Sequence, residues 1–361
     1  MTAAPIPQPP RVTRALTAPV RGLDRLRWLW LKALGPLAKP LVRRRELRVA
    51  VAGTSLIGLA LLGAIFLPMW LLALGPIVWG VPHVLGDVRY LWVRPGHHRR
   101  LALSAAVGVS LLILSVTAHP SWGFAAAGLA ALLARGAWWK KALAAAVAVG
   151  LVWVAWRHSF WTAVVFAHAH NLIGVALWWS WRRRMGRLHW LPLAAFVAGG
   201  ALLLSGWIDP LLYWAGALDP RPSGLDVYYH LGALAPAVPG MLAVRLVLLF
   251  CFAQSVHYAV WVRLVPEEDR PRETPRTFAA TLRALRADFG APLLALAFLA
   301  AVGLAGWAAW DVFAARHGYL RAVLFHGHLE LVAAALLFVE GTRPRGATER
   351  AGQPAPTRDA A

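Results

Sequence analysis

Histidines, acids and amides recur in four stretches of this chain that are otherwise apolar. The first is Trp79-Gly80-Val81-Pro82-His83-Val84-Leu85-Gly86-Asp87-Val88-Arg89-Tyr90. The second, Phe166-Ala167-His168-Ala169-His170-Asn171, carries two imidazoles and an amide. The third, Cys251-Phe252-Ala253-Gln254-Ser255-Val256-His257-Tyr258, contributes Gln254 and His257. The fourth, Phe325-His326-Gly327-His328-Leu329-Glu330, contributes two imidazoles and a carboxylate. Polar groups in hydrocarbon surroundings need partners and by default mark a functional site. Imidazole and carboxylate are donors that suit Fe(II), Zn(II) or Mn(II). The expected centre is a metal site gathered from all four stretches. Its candidate ligands are His83, His168, His170, His257, His326 and His328. Asp87, Glu330 and Asn171 are the candidate catalytic partners, acids and an amide able to hold a ring in one tautomer. Fe(2+) is the expected cofactor, because a set of imidazoles leaves a position open for dioxygen; haem, copper and zinc are the alternatives.

Helical phase sharpens this expectation. His83 and Asp87 stand at i and i+4 and share a helix face, as do His326 and Glu330. Gln254 with His257, and His168 with Asn171, stand at i and i+3 and nearly share one. The two His-x-His pairs behave differently, because residues two apart on an α-helix point to opposite sides. One histidine of each pair is expected at the ion. The other is left for a hydrogen bond, a neighbouring site or a second metal, unless Gly327 lets the helix distort.

The elements that must position these groups are membrane helices. The chain has 361 residues, 59% of them hydrophobic and 15% charged, against about 25% charged in an ordinary soluble domain. Several apolar runs approach the roughly 20 residues that cross a bilayer as helix. The fold class is therefore all-α, a polytopic bundle of about ten spans within a range of roughly eight to ten. Spans are expected near 49–68, 70–92, 101–118, 122–135, 142–157, 160–180, 190–207, 237–262, 289–310 and 319–341. Basic connections around Arg94, Lys140, Arg182 and the 263–286 segment alternate with connections poor in Lys and Arg, which places both termini in the cytosol. Domain organisation follows: a disordered tail and basic juxtamembrane segment over 1–48, a helical catalytic domain over 49–341, and a flexible cytosolic tail over 342–361.

The net charge of +21 sits in those connections, so it points to anionic lipid on the cytosolic face and not to nucleic acid. A multi-pass protein of the cell inner (plasma) membrane is expected. Cys251 is the only cysteine, which excludes an intrachain disulfide and a cysteine-rich metal site. If basic loops mark the inner boundary, His83, His170 and His328 lie roughly 13–20 Å from it and His257 is shallower. Arg89 and Arg263 are expected to snorkel toward head groups. Glu267, Glu268, Asp269 and Glu273 are read as a solvated loop. His230 is read as a solvated loop residue, with a place at an entrance as the alternative, and His189 and His317 as interfacial.

Gly80-Val81-Pro82-His83-Val84-Leu85-Gly86-Asp87 resembles the Gly-x-Pro-His-Gly-x-x-Asp segment of the Brp/Blh-type β-carotene 15,15′-dioxygenases, with Val84 where that family has glycine. The resemblance implies an integral membrane enzyme that uses histidine-bound non-haem iron, with His83 as an early iron ligand and Asp87 its neighbouring acid. The leading expectation is a membrane oxygenase acting with dioxygen on a carotenoid or another lipid-soluble small molecule. A haem- or copper-binding redox protein, a proton- or metal-coupled transporter, and an assembly factor whose histidines only bond helices are the competing readings.

Overall fold

A computed structural model of the chain describes residues 11–180, 186–219, 226–270 and 273–341. These residues form helices and turns, with no strand among them. In chain order the α-helices are α1 (Arg11–Ala33), α2 (Ala38–Arg43), α3 (Arg45–Phe66), α4 (Pro68–Asp87), α5 (Leu101–Thr117), α6 (Ser121–Leu133), α7 (Trp138–Arg157) and α8 (Ser159–Ser180). They continue with α9 (Trp190–Ser205), α10 (Asp209–Trp214), α11 (Val227–Leu234), α12 (Gly240–Ala259), α13 (Val265–Glu268), α14 (Phe278–Trp310), α15 (Val312–Ala322) and α16 (Phe325–Glu340). Among the described residues, eight helical stretches are long and apolar enough to cross a membrane, and α5 and α6 are shorter apolar helices.

The bundle is apolar outside as well as inside, the reverse of a soluble protein. Leu296, Phe298 and Leu299 of α14 and Val147, Val149 and Trp153 of α7 point outward. A surface of this kind is stable against lipid and not against water. Helix α12 forms the centre, with 61% of its apolar window buried against 6% for α14, and it packs on α3, α4, α8, α9 and α11.

Helix α4 begins on Pro68, whose missing N–H costs nothing in a first turn. Its buried residues Met69, Leu72, Ala73, Pro76, Gly80, His83 and Asp87 recur at helical spacing, so one stripe carries both packing and chemistry. A π-helical turn, Val88–Val93, follows Asp87, and a second, Val260–Leu264, follows α12 just after His257. Each widens its helix at the point where the polar groups turn inward, a common place for such turns. The two helices touch where Gly86 lies under the Trp261 backbone; a Cβ there would stand 2.9 Å from the Trp261 carbonyl oxygen.

Several expectations are corrected. The segment expected at 319–341 starts earlier and consists of two helices, broken at Val323 and Leu324 between α15 and α16. The span expected to end near 262 runs on through the π turn and α13 to Glu268, which puts His257 farther from its end than expected. The tail expected to be irregular to about residue 21 is helical from Arg11, while residues 1–10 and the 342–361 tail lie outside the described residues. Arg182 lies outside them as well.

Glu267 and Glu268 are not solvated but buried, because polar partners converge on them, for Glu267 three arginines from α3, the second π turn and the coil after α13. Glu267 accepts from Arg48 at 2.6 Å, Arg263 at 2.6 Å and Arg270 at 2.5 Å. Glu268 accepts from the Trp178 indole at 2.8 Å and faces His189 at 3.3 Å. Arg89 does not snorkel either; it is buried and paired with Asp288 at 2.7 Å.

Replacing Glu267 with alanine strands the buried Arg48 and Arg270 guanidiniums. The expected cost is about 3–5 kcal/mol, read as lost thermal stability in detergent. A loss below about 1 kcal/mol, the range of an exposed pair, would contradict this account of the α3–α13 contact.

Candidate metal centre

Four imidazoles from four helices meet at one point in the bundle interior. His83 of α4 lies 4.9 Å from His326 of α16 and 5.6 Å from His257 of α12, ring centre to ring centre. His170 of α8 lies 5.2 Å from His257 and 5.4 Å from His326. Donor atoms of His83, Asp87, His257 and His326 all fall within 4.8 Å of one another, the compactness a single ion requires. His170 stands beside that set as a fifth donor.

The hydrogen bonds decide which ring nitrogen is free. His83 Nδ1 donates to the Trp79 carbonyl at 3.2 Å, and His170 Nδ1 to the Phe166 carbonyl at 3.3 Å. His326 Nδ1 donates to the Val323 carbonyl at 2.6 Å, a carbonyl that also accepts from the His326 backbone N–H at 3.0 Å in the turn before α16. A carbonyl can only accept, so each Nδ1 carries the proton and each Nε2 offers a lone pair. His83 Nε2, both ring nitrogens of His257 and both carboxylate oxygens of Asp87 are buried with no hydrogen-bond partner. Unsatisfied buried polar atoms are rare and costly. Here they share one locus, and their chemistry is that of a divalent cation's ligands. The residues present therefore fit a histidine-rich metal site.

Around this set sit groups that hold it in place. Glu330 accepts from the Trp261 indole at 2.7 Å, and its Oε1 stands 3.6 Å from His257 Nε2. Gly174 of α8 leaves the space that the His257 ring fills; a Cβ there would lie 2.5 Å from His257 Nδ1 and 3.2 Å from Glu330 Oε1. The Tyr258 ring packs on His83 with centres 4.6 Å apart.

The other candidates fall elsewhere. His168 Nε2 donates to the Leu234 carbonyl at 2.8 Å on the far side of α8. The His328 ring packs on Phe166, with centres 4.1 Å apart, and against Gly123. Each His-x-His pair is thus divided, because the helix is regular through both. Gly327 does not distort α16; it makes room for the His170 side chain, whose Cβ lies 3.2 Å from where a Gly327 Cβ would be. Asn171 is buried and its amide donates to the Ala167 carbonyl of its own helix at 3.2 Å. Gln254 is buried in the wall of a neighbouring cavity.

That cavity has a volume of about 270 Å³ and opens onto three of the rings, His83, His170 and His326. Leu114, Ala163, Phe166, Leu234 and Phe250 give it apolar walls. Its lining also holds residues that sequence reasoning passed over or placed in solvent: Arg316, Tyr319, Tyr229, His230 and His317. His230 is fully buried and neither ring nitrogen has a partner. Burial, then the nearby Arg316, pushes its pKa down to about 4, so the ring is neutral at pH 7. His317 is hydrogen-bonded to the Tyr229 hydroxyl. Only Arg316, an arginine in a stretch otherwise apolar enough to span a bilayer, offered a signal for this group.

Gly174→Ala tests the crowding at His257. The added methyl is expected to lower stability by about 1–3 kcal/mol, as overpacking does, and to reduce retained metal severalfold. Gly58→Ala, with nothing within 4 Å of its Cβ position, should leave both unchanged. Equal behaviour of the two variants in unfolding and elemental analysis would remove Gly174 from the site.

No protein-family model, no curated protein and no solved structure matches the chain.

Proposed function

We propose that this chain is a membrane-embedded oxygenase with a histidine-bound metal, non-haem iron, acting on a lipid-soluble substrate together with dioxygen. The observation that carries the reading is the gathering of donor atoms of His83, Asp87, His257 and His326 within 4.8 Å of one another, those of His83 Nε2, Asp87 and His257 being buried without a hydrogen-bond partner. His83, His257, His326 and Asp87 would hold the ion, with His170 beside them and Glu330 fixing His257. Bound iron would supply activation of dioxygen. The chain's own part is to hold three neutral rings by their Nδ1 protons, keep water out with Trp261, Tyr258 and Phe166, and open one side of the ligand set onto an apolar cavity.

The close packing of four rings supports a single ion over a porphyrin, which would need a slot between axial ligands. The short resemblance to Brp/Blh-type dioxygenases at Gly80–Asp87 supports iron and cleavage chemistry. A cavity of about 270 Å³ falls at the lower edge of the usual ~300–1,000 Å³ range for ligand pockets. That size favours a smaller lipid-soluble molecule over a whole carotene. In this reading α5 and α6 also cross the bilayer, which makes ten spans, and the basic connections place both termini in the cytosol of the inner membrane.

Elemental analysis of detergent-purified protein beside its visible spectrum is the direct test. Iron near one equivalent without an intense Soret band is expected, and a Soret band would replace iron by haem. His83→Ala, His257→Ala and His326→Ala should each lower bound metal about tenfold or more, the scale lost even with outer partners of a metal site. His168→Ala and His328→Ala should retain it. Unchanged metal in the first three variants would end the proposal.

A further inference from the structure

The cavity wall beside the histidines carries a charge problem of its own. Arg316 is 5% exposed, and its Nε donates to the Leu72 carbonyl at 2.8 Å. The Tyr229 and Tyr258 hydroxyls are its other polar neighbours. Among the described residues no carboxylate pairs with it. The acids nearest in sequence are engaged elsewhere: Asp226 caps α11 by accepting from Tyr229 N at 2.8 Å, and Asp311 caps α15 by accepting from Ala314 N at 2.9 Å. A buried guanidinium without a counter-ion is costly. Beside it, His230 is fully buried with two partnerless ring nitrogens. Both residues line the same cavity as His83, His170 and His326.

We propose that Arg316 and His230 form a binding site for the carboxylate of a long-chain lipid acid, whose hydrocarbon lies along Phe166 and Phe250 toward the histidine cluster. A guanidinium matches a carboxylate with two parallel N–H donors, and a neutral imidazole adds a third. One fixed cation balances one carboxylate; a phosphate, with more charge and more acceptors, would leave part of its charge unpaired. The apolar walls and the small volume suit a single acyl or isoprenoid chain. This inference rests on the oxygenase reading only for what happens at the far end of the chain; the acid site itself stands on Arg316 and His230, which are not among the residues that would hold the metal.

The test is binding of a radiolabelled long-chain fatty acid, its methyl ester and its alcohol to the full protein in detergent, with metal bound and after chelation. The acid should bind about ten- to a hundredfold more tightly than the ester or alcohol, the scale of a lost charge-assisted hydrogen bond, whether or not metal is present. Arg316→Gln should abolish that preference. His230→Leu removes a partnerless polar ring, keeps Arg316, and should weaken the acid several-fold with little change for the ester. Equal affinity of acid and ester for the native protein overturns the proposal. So does a preference retained by Arg316→Gln or, should that variant not fold, an acid affinity unchanged in His230→Leu. An acid preference in protein that purifies without metal and takes up none when iron is added would count against the oxygenase reading alone.

Discussion

The structure turns on the cost of keeping imidazole and carboxylate groups dry. His83, Asp87, His257 and Glu330 are essentially without solvent exposure at the crossing of α4, α12 and α16. Each helix could have met that cost by pairing its own polar groups, and to a degree it does. The Nδ1 protons of His83, His170 and His326 go to carbonyls of their own segments. That arrangement satisfies every donor those rings possess and leaves their acceptors directed at one another. Acceptors cannot satisfy acceptors, so this group of atoms could hold a cation.

Holding the acceptors in phase requires the helix ends to be fixed, and the fixing lies at one end of the bundle. Immediately beyond the two π turns, the chain meets a dense set of ion pairs. Glu267 binds three arginines, Asp288 pairs with Arg89, Arg94 pairs with Asp269, and Arg100 with Glu340. The last of these ties the loop after α4 to the end of α16, and the first ties α12 to α3. Helices that carry His83, His257 and His326 are therefore anchored within a few turns of the rings they present. The peripheral α14 helps in a different way: Asp288 pairs inward with Arg89 just before the kink at Gly290, beyond which the helix is apolar and outward-facing.

Much of this architecture was legible in the residues. Long apolar runs separated by basic connections gave helices close to where they occur, because composition alone determines whether a segment tolerates lipid. The i, i+4 relation of His83 and Asp87 placed them on one face. Which member of each His-x-His pair turns inward was not legible, since a helix's rotation is set by neighbours such as Gly174 and Phe166 and not by its own period. Arg263 was misleading: an arginine after an apolar run reads as a membrane boundary, yet here it pairs with Glu267 one turn on and the helix continues. Arg316 and His230 were invisible as a unit because they are distant in sequence and meet only when α11 folds over α15. The break at Val323 and Leu324 carries no glycine or proline and had no local signal.

That break has a geometric consequence. Arg316 and Tyr319 stand on one side of it and His326 on the other, so the cation and a ring of the cluster belong to two short rods joined at Val323 and Leu324. A change of angle at that joint would shift Arg316 and Tyr319 relative to His326 while leaving the interior of each helix intact.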